Sequence, residues 1–142
     1  SLFGRRAGVG RAGFFRAGEA HRGCVFLAFT NATLIDESFA DEMLRVKNFI
    51  PAISVEGFEE ETDARRGKGT YKAVVRAMEI LKAKRLPFGI PCCYTSQNTD
   101  VIGSEEYIVD LIKKGAQVAS SFPQILFGAH AVPELLALTE QP

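Results

Sequence analysis

Short apolar runs of strand length recur along most of the chain. They occupy residues 24–29, 49–55 and 88–94, and a further strand is expected somewhere within residues 117–127. Such continuous runs, without polar alternation, are typical of strands that are covered on both faces in a parallel sheet. Pro51 argues against a central position for the second strand because proline cannot donate to a strand ladder.

Segments with helical periodicity separate these runs. Asp36 starts a helix that extends to about Val46, Thr70 is the expected N-cap of a helix to about Lys84, and Ser104 is the expected N-cap of another helix. A short acidic helical turn is expected over residues 58–63. The predicted buried faces are Phe39, Ala40, Met43 and Leu44, then Tyr71, Val74, Val75, Met78 and Leu81, then Tyr107, Ile108, Leu111 and Ile112.

The order of these elements predicts an α/β fold. Units of roughly 30 residues that alternate strand and helix indicate a parallel sheet with right-handed crossovers. The pattern leaves open whether the sheet is open or curls into a barrel. In both cases, functional groups belong at the carboxyl ends of the strands.

Composition excludes some classes of partner. The 142 residues are 46% apolar and 24% charged, with no formal net charge, so nothing favours nucleic acid or a membrane surface. No apolar run reaches the roughly 18 residues of a membrane span. Three cysteines, two of them adjacent, do not form a disulfide framework, which favours a reducing cytoplasm.

The first segment differs from the remainder. Residues 1–22 are rich in Gly and Arg and lack periodicity, so we expect a loop, disorder or sequence foreign to the fold. The α/β domain is expected over residues 23–130 and a C-terminal tail over residues 131–142. Residues 8–13 spell G-x-G-x-x-G, but a dinucleotide-binding fingerprint requires a preceding strand, which this segment lacks.

Polar side chains follow the predicted strands. They are Thr30 and Asn31, then Ser54, Glu56 and Gly57, then Thr95 and Asn98. Arg65 and Arg66 precede a glycine-rich turn, where an arginine fork can bind a carboxylate or a phosphate. Ordinary turn chemistry and a solvated run of charge are the alternative interpretation.

The cysteines and histidines do not suggest a metal or nucleophile site. Cys92 and Cys93 are adjacent on one predicted strand, point to opposite faces and are interpreted as core residues. His21 and His130 are isolated. We therefore assign no metal ligand and no catalytic residue from spacing.

Residues 30–35 and 50–57 resemble the radical S-adenosylmethionine superfamily. The resemblance continues through residues 60–69 and covers roughly residues 24–117, and its most specific part is the Ser-x-Glu-Gly…Thr-Asp-x-Arg-Arg-Gly stretch. It implies a partial (β/α)6 barrel in which a [4Fe–4S] cluster, held by three cysteines, reductively cleaves S-adenosylmethionine. The resulting 5′-deoxyadenosyl radical abstracts hydrogen from a substrate.

The resemblance also implies the cofactor-binding residues Asn31, Ser54, Glu56, Arg66 and Asn98. Arg66 would bind the methionine carboxylate, and Ser54 and Glu56 would line the pocket. The substrate, a small molecule or a peptide, is not specified by the sequence.

The chain departs from the family in one respect. The C-x-x-x-C-x-x-C loop and the Gly-Gly-Glu-Pro motif do not occur. We therefore expect that this chain does not bind the cluster and is an enzyme fragment that is inactive alone or is completed by another chain. The product of a truncated or frame-shifted gene would have such a sequence. We also expect self-association through open sheet edges. The alternatives are a non-catalytic module that binds S-adenosylmethionine or another small molecule, and an unrelated open sheet that binds a nucleotide.

Overall fold

The computed structural model describes residues 11–123, which form four strands and six helices. Residues 1–10 and 124–142 lie outside the described part, and with them the predicted C-terminal tail, His130 and the start of the G-x-G-x-x-G run. The elements are α1 (Arg11–Ala20), β1 (Phe26–Thr30), α2 (Glu37–Val46), β2 (Phe49–Ile53), α3 (Glu59–Arg66), α4 (Thr70–Ala83), β3 (Gly89–Tyr94), α5 (Thr99–Ile102), α6 (Glu105–Lys113) and β4 (Val118–Pro123).

The four strands form one parallel sheet in the order β1-β2-β3-β4. This confirms the predicted α/β class. The strand order never reverses, so right-handed crossovers place the connecting helices on a single face. A doubly wound open sheet would instead change direction at a switch point.

Pro51 lies in β2, between β1 and β3, so the sequence argument against a central position was wrong. Phe26–Thr30 and Phe49–Ile53 pair along their whole lengths, whereas β2 and β3 register only at Ala52 and Gly89. Proline lacks a backbone donor, and Pro91 lies in β3 as well. The sheet accommodates both prolines around a short central ladder.

The helices bury the predicted faces in part. Asp36 accepts a hydrogen bond from Phe39 N across 2.7 Å, and Ser104 accepts one from Tyr107 N across 3.2 Å, so both helix starts are confirmed. Thr70 is not an N-cap, because Gly69 occupies that position. Three residues that were predicted to be buried are at least 40% exposed: Leu44, Ile108 and Ile112.

Helix α1 corrects the prediction for the N-terminal segment, where residues 11–20 were expected to lack structure. Phe14 and Phe15 are buried in the common core, and the Phe14 ring centroid lies 3.9 Å from that of Phe49. Asn48 donates from Nδ2 to the backbone oxygens of Gly18, His21 and Cys24. These contacts attach α1 and the chain leading to β1 to the start of β2.

The opposite face of the sheet is apolar and exposed. Val25, Leu27, Phe29 and Val118 are 47–70% exposed, and a groove of about 270 Å³ runs over this face. The expectation that β1 is covered on both faces is therefore wrong for the described residues. No helix of the described part is long and apolar enough to cross a membrane.

Candidate functional site at the carboxyl edge of the sheet

The loops that leave β2 and β3 meet at the carboxyl edge of the sheet. Parallel strands place these loops side by side. Asn98, in the loop after β3, donates from Nδ2 to the backbone oxygen of Glu56 across 2.8 Å and to that of Cys93 across 3.2 Å. Thr95 N donates to Asn98 Oδ1 across 2.7 Å. The Asn98 side chain thus joins the two loops.

Glu56 is a buried carboxylate, with only 1% of the residue exposed. Its Oε1 accepts from Arg66 Nε across 3.0 Å and also from Arg66 Nη2. Arg65 Nε lies 3.6 Å from the same oxygen. The predicted arginine fork therefore binds a carboxylate of the chain itself. Glu56 Oε2 is buried and has no hydrogen-bond partner.

Helix α3 is tied to the end of β2 by Thr62, which is fully buried. Its hydroxyl accepts from Glu56 N and donates to the backbone oxygen of Gly57, both across 3.2 Å. Gly57 has φ of +133°, a conformation that side chains rarely adopt, and a Cβ there would lie 3.0 Å from Glu61. The glycine of the Ser-x-Glu-Gly motif thus allows the tight entry into α3.

Asp63 connects α3 to α4. Its carboxylate accepts from Gly69 N across 2.6 Å and from Tyr71 N across 2.8 Å, so it satisfies the first donors of α4. These hydrogen bonds, that of Tyr71 above all, lower the pKa of Asp63 below its usual value. Gly69 thus holds the N-cap position of α4, and the carboxylate of Asp63 supplies the capping hydrogen bonds that were predicted for Thr70.

An open cavity of about 540 Å³ lies at this edge. Its lining residues come from α3 and from the loop after β3: Glu60, Glu61, Ala64, Arg65, Thr95, Gln97 and Asn98. Groups of both charges line it, and Glu61 Oε2 is buried without a hydrogen-bond partner. A polar ligand with both a cationic and an anionic group fits such a lining.

The five predicted site residues do not all reach this cavity. Glu56, Arg66 and Asn98 are joined by hydrogen bonds, but only Asn98 lines the cavity. Ser54 N donates to Thr30 O across 2.9 Å, next to the same edge. Asn31 Oδ1 accepts from the Thr33 backbone and hydroxyl, which stabilises the turn after β1. The structure adds Glu60, Glu61 and Gln97, which carry no sequence signal beyond their polarity.

The three thiols do not converge. Cys92 is buried, with Sγ 3.4 Å from the Tyr107 hydroxyl, and burial raises the pKa values of both groups. Cys93 Sγ lies 3.6 Å from Arg65 Nη2, and Cys24 is exposed before β1. Among residues 11–123 no three His, Cys, Asp or Glu side chains are grouped as metal ligands. These thiols do not fit a cluster that needs three adjacent thiolates.

Part of this chain is similar in sequence to two known proteins. An uncharacterised protein of Methanocaldococcus jannaschii is 34% identical over 94 residues, which cover 64% of this chain and 32% of that protein. The cysteine-type anaerobic sulfatase-maturating enzyme of Clostridium perfringens is 38% identical over 71 residues, which cover 47% of this chain and 19% of the enzyme. The chain thus spans about a third or less of the length of these relatives.

Two solved structures of one such enzyme share the fold of this chain. Native anSMEcpe with bound AdoMet (S-adenosylmethionine) and the Kp18Cys peptide superimposes with a TM-score of 0.69 at 25% identity, over 84% of this chain and 36% of that chain. The form with bound AdoMet alone gives a TM-score of 0.59 at 24% identity, over 75% and 31% of the two chains, and shows the fold alone. The sheet is therefore part of a TIM-like barrel.

The family model for the Radical SAM superfamily matches residues 14–103, which is more than half of the chain and includes most of α1. The chain belongs to the radical SAM superfamily.

Proposed function

We propose that this chain provides part of the S-adenosylmethionine site of a radical SAM enzyme and does not hold the iron–sulfur cluster by itself. The observation that carries the proposal is the cavity of about 540 Å³ at the carboxyl edge, lined by groups of both charges. S-Adenosylmethionine has an ammonium, a carboxylate and a sulfonium group, so its charges match this lining.

The roles of the residues follow from their contacts. Asn98 holds the loops after β2 and β3 together, and the pair of Glu56 and Arg66 ties the end of α3 to the loop after β2. Ser54 and Asn31 lie at the ends of β2 and β1, where they shape the same edge. In this proposal Asn98 contacts the cofactor in the cavity, and the other four residues hold the loops and helix α3 that surround it.

In the family, cofactor cleavage supplies a 5′-deoxyadenosyl radical. The arrangement of Cys24, Cys92 and Cys93 does not fit the cluster that drives this step. We therefore infer that the chain as given is inactive alone, whether it is a fragment or is completed by other polypeptide. The test is anaerobic reconstitution with iron and sulfide: no visible iron–sulfur absorbance is expected, and a bound cluster with three-cysteine stoichiometry would contradict the inference.

A peptide is the proposed substrate of the complete enzyme. The support is the Kp18Cys peptide bound by anSMEcpe, whose fold this chain shares in part. The polar carboxyl edge, where the cavity opens, is the side at which such a substrate would approach.

A reducing compartment such as the cytoplasm is inferred from the three free cysteines.

A second candidate is a non-catalytic module that binds S-adenosylmethionine. It is favoured by the presence of the cavity together with thiols that do not converge. Calorimetry with S-adenosylmethionine tests the binding that both candidates share. Micromolar affinity supports the site that both candidates share, whereas no heat of binding with the folded chain contradicts it.

A further inference from the structure

The exposed apolar face of the sheet extends across all four strands. Side chains from every strand line its groove of about 270 Å³, among them Leu27, Ile50, Pro91 and Ser120. The connecting helices lie on the other face, because the strand order never reverses. A parallel sheet with its helices on one face is the wall of a barrel, and its bare face is the barrel interior. The groove is thus the interior of an incomplete barrel.

The two edge strands lack the usual protection against pairing. Within residues 11–123, β1 and β4 each pair on one side only. Neither strand contains a charged residue, and the proline of β4 is its last residue. Natural edge strands avoid other chains by means of lysine, proline, bulges or a covering segment. These two bare edges therefore favour the addition of a further strand at each side of the sheet.

The strands are already staggered in the way that barrel closure requires. Phe29 pairs with Ala52, Ala52 with Gly89, and Gly89 with Val118, so these four residues form one row. Phe29 is the fourth residue of β1 and Val118 is the first of β4, so the strand starts shift by three residues. An eight-stranded parallel barrel has a shear of about eight residues, or about four for each half. Two such sheets would thus close with about one more residue of stagger at each junction.

Side-chain direction agrees with a stagger of about four residues for each half. This stagger places Val118 opposite Val25 of a second copy, and Ser120 opposite Leu27 of that copy. Opposed residues in a sheet must point to the same face. Leu27, Val118 and Ser120 all line the groove, and Val25 is exposed. A stagger of about three residues would instead place Ser120 opposite Ala28, which is buried on the helix face.

We propose that two copies of this chain close one eight-stranded parallel barrel, in which β4 of each copy pairs with β1 of the other. Four strands from each copy make eight, the number at which side chains fill the interior. A two-fold axis along the barrel makes the two junctions identical, so assembly ends at two copies and leaves no open edge. Closure buries Leu27, Phe29 and Val118, and this burial drives association.

The proposal goes beyond the proposed function and uses neither the cofactor cavity nor a ligand. The axis along the barrel gives all eight strands the same direction, so their carboxyl ends lie at one rim. The candidate sites of the two copies therefore share that rim.

Size-exclusion chromatography with light scattering on the unmodified chain is the first test. We expect one species with twice the 15.5 kDa mass of the chain and no larger species. A monomer at all concentrations would overturn the proposal, whether residues 124–142 cover the groove or nothing does. A series of larger oligomers would also overturn it, because the edges would then pair without closure. No ligand is present, so failure here leaves the cofactor proposal intact.

A pair of thiols across the junction tests the register. The background is Cys24→Ser with Cys93→Ser. In it, Leu27→Cys combined with Ser120→Cys should form a covalent dimer with dibromobimane, which bridges thiols a few ångströms apart. Within one chain β2 and β3 separate these positions by roughly 14 Å, so the bridge must join two copies.

The matched control combines Leu27→Cys with Ala119→Cys. Ala119 neighbours Ser120 on the same strand, and its side chain points to the opposite face. Denaturing electrophoresis should therefore show a covalent dimer for the Ser120 pair and monomer for the Ala119 pair. Equal bridging of the two pairs, or bridging of neither in a chain that has dimer mass, would overturn the barrel.

Discussion

Arg66 donates from Nε to Oε1 of Glu56 across 3.0 Å and thereby joins the last residue of α3 to the loop that follows β2. The acceptor is buried, and the residues between the two partners form the turn at Gly57 and all of α3 except Arg66 itself. This ion pair therefore stabilises the frame of the candidate site, and its loss would be felt as a loss of stability.

Arg66→Ala should lower the free energy of unfolding by about 1.5–3 kcal/mol, because the buried Glu56 carboxylate loses its charged hydrogen bonds from Arg66 and keeps only the 3.6 Å contact with Arg65. Urea unfolding followed by circular dichroism measures this. The double variant with Glu56→Ala should lose less than the sum of the two single variants, since the pair is coupled. A change in Arg66→Ala within about 0.5 kcal/mol, typical of a surface site, would contradict the role of the pair.

Gly18→Ala should destabilise the protein by about 1–3 kcal/mol, as overpacking does in a core. A Cβ at this position would lie 2.8 Å from Asn48 Oδ1 and would overlap the ring of Phe49. Gly23→Ala is the matched control, because nothing lies within 4 Å of a Cβ there. Equal stability of the two variants would show that α1 does not pack on β2 as described.

Ionisation of the Asp63 carboxylate should make the stability of the fold depend on pH in the acidic range. Its pKa in the folded state is lowered from 3.8, chiefly by the hydrogen bond from Tyr71 N. A lowered pKa stabilises the fold at any pH above the unfolded value of 3.8, and this contribution is lost as pH falls through the folded value. Asp63→Asn should therefore melt at a lower temperature than the parent at neutral pH. The difference in melting temperature should shrink as pH falls below 3.8 and through the lower pKa of the folded state.

Thermal melts of both chains over a pH series measure this effect. Asp100→Asn, at an exposed position on α5, is the control for the loss of one carboxylate. A difference in melting temperature that stays constant down to strongly acidic pH would argue against a charged Asp63 as the cap of α4.

The three thiols should react in a fixed order with an alkylating reagent. Cys24 is exposed and should react first, followed by Cys93, whereas burial raises the pKa of Cys92 and should delay its reaction until the chain unfolds. Mass spectrometry of peptides from timed samples gives the order. Early labelling of Cys92 in the folded chain would contradict its position against Tyr107.

Self-association is expected from the edges of the sheet. In the described part β1 and β4 each pair on one side only, and the exposed apolar face carries Leu27, Phe29 and Val118. Open strand edges pair with other chains. Light scattering should show oligomers, and Leu27→Lys should reduce them relative to Thr33→Lys, which lies outside the sheet. A monomeric parent chain with a cooperative melt would contradict this expectation.

Local sequence determined most of the element order. Apolar runs predicted the first three strands, and a fourth was expected only within the wider range 117–127. The caps at Asp36 and Ser104 were predicted because a short polar side chain before an apolar helix face commonly accepts the first backbone hydrogen bonds of the helix. Helix α1 was missed because its glycines are unfavourable for an isolated helix, and Gly18 is required only by the close approach of Phe49. That requirement is a property of packing and leaves no local signal.

The candidate site also depends partly on local sequence and partly on tertiary packing. Glu56 and Asn98 were predicted as site residues because polar residues at the ends of apolar runs meet at one edge of a parallel sheet, and Arg66 was added by the family resemblance. Only the tertiary structure decided that Glu56 is buried, that it engages Arg66, and that Arg65 and Glu61 line the cavity. Spacing along the chain specifies which loops are neighbours, whereas burial and charge pairing depend on atoms from distant segments. The sequence alone therefore determined the parallel α/β order and the edge that carries the candidate site, and three-dimensional packing decided which arginine pairs closely with Glu56 and which one lines the cavity.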